Sequence, residues 1–347
     1  MTKQITLIFS LLLAAYASKA TVLILDQSAN APTGTYATFT DAQTAAVNGD
    51  TILVIPNTTS YGSVNISKPL VVLGVGFNPD TQLGLKSQFT SIVINVNVTA
   101  GTKLIGLVST TMTLGNTTGT ISNVIIENCQ VDRITHNASI ISNVIIRQNV
   151  FQTTNNQFPI TLTAANQSNI IVTNNIFSSP GSAYGPYVST GGVVFDNNLF
   201  LGSVRGAFYQ LNNCLVRNNI FFERNLTTEA GFSNLVFENN LSFNATTNDL
   251  PPAGTNVKGS GNLVNQDPLF TNLPTGTVTY DFTMDASLQV GSPALAAGTD
   301  GTDLGIYGGS SAFKNTGSVL PVVKQFAMPS NVLQGTSTDA DVIITGN

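Results

Sequence analysis

The stretch VDRITHN sets Asp132, Arg133 and the chain's single histidine, His136, side by side just after an apolar run. A carboxylate, a guanidinium and an imidazole together could take up a proton and neutralise an acidic substrate. A lone His at such a place is also an ordinary solvated turn residue. A second group is formed by Arg205, Glu223 and Arg224, which follow two related apolar runs ending at Phe200 and Phe221. The insertion SSPGSAYGPYVSTGG brings Tyr184 and Tyr187 just before them, and Tyr209 follows. Tyrosine rings beside an Arg–Glu pair suit a sugar-binding surface, because an aromatic face stacks on the apolar face of a pyranose. Arg205, Glu223 and Arg224 are thus the candidate catalytic groups, expected along one edge, with the three tyrosines as candidate binding residues. Structural tyrosines in a plain loop are the competing reading.

Other chemistry is sparse. Asp300 with Asp303, and Asp339 with Asp341, suggest calcium, yet neither pair has the spacing of a loop with enough oxygen ligands. No metal site is assigned, no cofactor is implied, and calcium stays open. No glycine loop for phosphate and no nucleophile elbow occurs.

The elements that must position these residues come from a repeat. ISNVIIENCQV at Ile121 returns as ISNVIIRQNVF at Ile141, then as IIVTNNIF, VVFDNNLF, CLVRNNIF and LVFENNLSF, with NLVNQDPLF as a degraded last copy. The aligned Asn149, Asn175, Asn198, Asn219 and Asn240 are 26, 23, 21 and 21 residues apart. A period in the low twenties with one short apolar strand per copy, and no helix between, predicts a β-helical solenoid. Stacked coils about 4.8 Å apart turn aligned positions into ladders.

Three kinds of ladder follow. Ile126, Ile146, Val172, Phe195, Val216 and Phe237 form one inward column, and Val124, Val144, Ile170, Val193, Cys214 and Leu235 another. The aligned asparagines stack at a turn, where amides can bond coil to coil. Glu127, Arg147, Thr173, Asp196, Arg217 and Glu238 form a column of alternating sign, which reads as a register-fixing ion ladder. The same alignment sets Cys129 and Cys214 four coils apart, too far for a disulfide, so two free buried thiols are expected.

At the N-terminus MTKQITLIFSLLLAAYASKA has the charge, apolar core and small residues of a secretory signal peptide, residues 1–20. No later run is long and apolar enough to span a bilayer. The 347 residues are only 9% charged, with net charge −5, which disfavours nucleic acid as a partner. Nine Asn-x-Ser/Thr triplets are what chance gives in so Asn- and Thr-rich a chain. Thr38 to Asp50 reads as a short helix capped by Thr40 and stopped by Gly49, covering the first open coil.

The order of helix, NGDTILV and KPLVVLGVG resembles the start of secreted bacterial proteins with a right-handed parallel β-helix, the architecture of pectate lyases and many surface proteins. SLQVGSPALAAGTDGTDLGIYGG, from Ser287 to Gly309, is similar to the terminal motif of that group. The resemblance covers roughly residues 35–312 and implies an all-β chain, a β-helix over residues 21–315 with an N-terminal capping helix. It carries no catalytic motif. From Leu320 the sequence changes: Pro321 and Pro329 flank one strand and VIIT is another, which reads as a short β appendage over 316–347 or the stub of a sandwich-like module.

The leading expectation is therefore a secreted or cell-surface β-helix protein, non-catalytic, with extracellular polysaccharide as its partner. The alternative is a polysaccharide lyase acting on uronic-acid-containing glycans. An ice-binding solenoid ranks last, because the threonines do not fall in one column.

Overall fold

The computed structural model describes residues 20–78, 84–98, 101–154, 156–178, 182–203, 205–226, 230–315, 320, 322–327 and 341–345. The expected signal peptide, apart from Ala20, lies outside them, and so does Asp339.

Apolar strands too short to bury a face alone stack in parallel, as the repeat requires. The chain is a parallel β-helix whose coils have three faces. The first runs from Val22–Leu25 through Ile140–Arg147 to Phe232–Glu238 and Thr255–Ser260, and the second from Ser63–Ile66 to Leu241–Phe243 in nine strands. The third is short: Thr161–Leu162, Tyr187–Val188 and Gln210–Asn212, joined to the first face through Phe232–Glu238. The expected columns pair in register, including Glu127 with Arg147, Asp196 with Arg217, and Arg217 with Glu238. Arg147 reaches Glu127 at 2.7 Å and Arg217 reaches Asp196 at 2.8 Å. Thr173 sits between Arg147 and Asp196, where a charge of either sign would meet one like neighbour.

The turn between the first two faces carries a continuous column of buried amide bonds. The second residue of each Asn pair is buried, and its Oδ1 accepts from both the backbone N–H and the amide of the coil before. Asn198 Oδ1 takes Asn175 N at 3.0 Å and Nδ2 at 3.0 Å, while its own amide gives to Val172 O and Asn219 Oδ1. Cys129 stands at the head of this column, with its N–H on Asn149 Oδ1. The last member is Asn262, so the final copy is VKGSGNLV, with its strand at Thr255–Ser260, and the expected NLVNQDPLF starts inside it. One position earlier, Asn128, Gln148, Asn174, Asn197, Asn218 and Asn239 all have φ between 50° and 58°. This left-handed conformation is one Asn tolerates better than other side-chain-bearing residues.

Those left-handed residues hold a strap. After the last coil the chain runs back across the stack, and their amides meet its carbonyls in order. Asn239 gives to Ala297 O, Asn197 to Asp303 O and Gly305 O, Asn174 to Ile306 O and Gly308 O, and Gln148 to Ser311 O. A Cβ at Gly308 would collide with the Asp303 carbonyl and the Asn197 amide, which fixes glycine there. The strap covers part of the second face, so strands such as Ile176–Ser178 are buried on both sides. Phe151, Phe177, Phe200 and Phe221 stack inside, at centroid distances of 4.8, 4.5 and 5.0 Å. Their neighbours Val150, Ile176, Leu199 and Ile220 pack outside against Leu304, Ile306 and Phe313.

The helix is shorter than the sequence suggests. It spans Phe39–Ala45, with Thr38 and not Thr40 as the N-cap, accepting from Asp41 N at 3.2 Å. It stops before Gly49 because Lys68 Nζ takes the carbonyls of Gln43, Thr44 and Ala46, and Asp50 binds the N–H of Val47. Beyond the strap, Val322–Ala327 and Asp341–Thr345 pair antiparallel, the short β appendage.

Two outcomes are expected. Asn198→Ala strands three buried partners and should cost about 2–4 kcal/mol in chemical denaturation; a loss under about 0.5 kcal/mol would mean the amide column does not stabilise the stack. Both cysteines are free and buried, and burial pushes each thiol up to about 12. Alkylation of the native protein near neutral pH should therefore leave both unlabelled, and denaturation without reductant should expose both. A disulfide-linked peptide pair would contradict the coil alignment.

Candidate functional site

The third face brings the tyrosines together. Thr161, Tyr187 and Gln210 are register neighbours on successive coils. Backbone bonds from Tyr184 N to Gln157 O and from Tyr209 N to Pro186 O hold the adjoining loops in step. Phe158, which the sequence did not single out, lies at the centre: its ring is 5.0 Å from Tyr184, 5.5 Å from Tyr187 and 4.8 Å from Tyr209. Tyr209 meets Tyr184 at 5.2 Å and Tyr187 at 5.3 Å, edge to face. The Arg205 guanidinium lies 4.6 Å above the Tyr184 centroid, within cation–π range. All four rings and Arg205 are half-buried, and together they form an aromatic platform.

Glu223 and Arg224 do not share that edge with Arg205. Glu223 has φ 55°, which breaks the alternation of its strand and turns Arg224 inward. Arg224 is 1% exposed, giving hydrogen bonds to Leu201 O and Gly206 O, and burial lowers its pKa to about 9. It ties down the loop that carries Arg205. Glu223 faces elsewhere, accepting from Asn244 Nδ2 at 2.7 Å and from Gly276 N.

The VDRITHN residues split between two roles. His136 is a bracket, with Nδ1 at 2.9 Å from Ala138 O and Nε2 accepting from Thr163 N at 3.0 Å. Arg133 gives to Thr111 Oγ1 and to Gln157 Oε1 at 2.7 Å, beside the aromatic platform. Asp132 lines an open groove of about 280 Å³ on the second face, with Gln88, Ser109, Thr110, Gln130 and Gln152. Burial raises its carboxyl pKa, opposed by the Thr154 N–H and by the Arg133 charge. Asp132 of the groove accepts from Thr154 N, and its neighbour Arg133 bonds Gln157 next to Phe158, so groove and platform adjoin.

Asp300 and Asp303 are turn residues of the strap. Asp300 accepts from Thr302, which holds its carboxyl below the ordinary range, and Asp303 accepts from Ala296 N. Among the described residues no group of three or more His, Cys, Asp or Glu is placed to hold a metal ion.

No family model matches this chain, and no curated protein matches it. Among solved structures it is similar to a crystal structure of pectate lyase Pel9A, at 14% identity and a TM-score of 0.45, covering 84% of this chain and 97% of that one. Among the described residues no helix is long and apolar enough to cross a membrane.

Asp132 gives a pH test. Because the fold raises its pKa, its contribution to stability is present below the unfolded value and is lost as pH rises through the folded one. Asp132→Asn removes that loss, so the variant should gain on the parent as pH climbs from about 3 to about 6. A difference that stays flat across that range would refute the burial effect.

Proposed function

We propose that this chain is a non-catalytic polysaccharide-binding β-helix, exported through the leader at residues 1–20 and acting outside the cell. The observation that supports the reading is the aromatic platform: four contiguous half-buried rings on neighbouring coils, with a guanidinium over one of them. Tyrosine faces stack on sugar rings, and Arg205 with Arg133 supplies donors at either side for hydroxyl or acidic groups. The groove beside it, lined by Gln, Ser and Thr side chains, offers further hydrogen bonds to an extended chain. An open surface of this kind suits weak, repeated contacts along a polymer. It does not exclude water or impose a strained geometry on one bond.

The alternative, a lyase, draws on Asp132, a carboxylate with a raised pKa beside Arg133 in an open groove. One experiment separates the two. Full-length protein is applied to immobilised neutral and uronic-acid polysaccharides, and the same polymers are assayed for unsaturated product. Retention without product is expected, weakened about fivefold or more in Tyr187→Ala at unchanged thermal midpoint. No retention on any polymer sinks the binding reading. Product formation that Asp132→Asn abolishes replaces it with the lyase.

A further inference from the structure

The outer surface of the first face carries two columns over which no strand or helix lies among the described residues, the strap's Asp300, Gly309, Ser310 and Ser311 standing along one side of them. One is apolar: Ile125, Ile145, Ile171, Val194, Leu215 and Val236, each a register neighbour of the next. All six are partly exposed, although they face outward from a strand. Two residues further along each strand lies the charged column. Over its first five coils that column reads negative, positive, neutral, negative, positive: Glu127, Arg147, Thr173, Asp196, Arg217.

That order is antisymmetric about Thr173. A two-fold axis parallel to the strands, passing the coil of Ile171 and Thr173, reverses the coil order and leaves each column in place. Glu127 then faces Arg217 of a second copy, Arg147 faces its Asp196, and Thr173 faces itself. Every charged position meets the opposite sign. The apolar column falls on itself, with Ile171 at the centre. Shifting the axis by half a coil or a whole coil sets like charges opposite each other.

One group left over within one chain fits this arrangement. Glu238 makes no ion pair among the described residues, and the same axis carries it over the coil of the exposed Lys103. We infer that the outer first face is a self-complementary interface, and that its partner is a second copy of this chain packed sheet on sheet. Aligned sheets pack about 10 Å apart, within reach of Arg–carboxylate pairs across the join. A two-fold interface of this type closes on itself and makes a dimer, not a filament. The aromatic platform lies on the third face and stays open in the dimer.

Sedimentation equilibrium of the full-length protein tests this directly. A dimer is expected at micromolar concentration, with a dissociation constant that rises with salt. Ile171→Lys places two cations at the axis and should weaken association about a hundredfold. Leu215→Lys is a second variant on the same column, and circular dichroism checks that each is folded. Val290→Lys, at a fully exposed site away from the face, should leave the dimer intact. Thr173→Cys, joined by a short bis-maleimide, should give a covalent dimer, since both native thiols are buried. A wild-type monomer at about 100 µM, or a dimer that survives both folded lysine variants, overturns the inference.

Discussion

A buried amide must find partners for two donors and one acceptor, and in this solenoid the neighbouring coils supply them. Each asparagine of the Asn149–Asn240 column solves this by bonding the next. That fixes the distance and the register between coils at this corner. The apolar interior would tolerate a slipped coil, since Ile, Val and Phe fill similar space. The amide column would not, because a slip orphans a donor and an acceptor at every level. Inward packing, the ion pairs beside it and the stacked phenylalanines all inherit the register set at this turn.

The column architecture was legible because a solenoid repeats its contacts as well as its sequence. Alignment of a few strands placed Glu127 against Arg147 and separated the cysteines. What the alignment missed is informative. The strap's course could not be read from its own sequence, which has no periodicity. The cue lay in the repeats: pairs such as Ile176–Phe177 and Leu199–Phe200 put two large apolar residues in succession, so both sides of the strand must be covered. The left-handed residue before each ladder asparagine was a second overlooked cue, since Asn recurs there and is suited to positive φ.

The candidate site was harder. The three tyrosines share short offsets from the third-face strands, so their meeting follows from register. Phe158 was passed over because it belongs to an earlier coil whose loop has a different length. Arg224 was misplaced for a backbone reason. Its place on one edge with Arg205 and Glu223 came from offsets after Phe200 and Phe221, which carry no side-chain direction, and a left-handed residue at Glu223 turns it inward. A fully buried guanidinium without a carboxylate then becomes a fastening for the loop above it, where a surface charge was expected.

The strap has a consequence for the history of the chain. Repeat arrays lengthen and shorten by duplication or loss of whole units, because each unit touches only its neighbours. Here the returning segment meets successive coils one after another, from Asn239 back to Gln148, and reaches Asn78 near the start. Insertion of a single coil would put every later contact out of step unless the strap gained residues at the matching place. The number of coils is therefore locked to the length of a segment that shares no sequence with them. A molecule built from interchangeable parts has lost the freedom to change how many it contains.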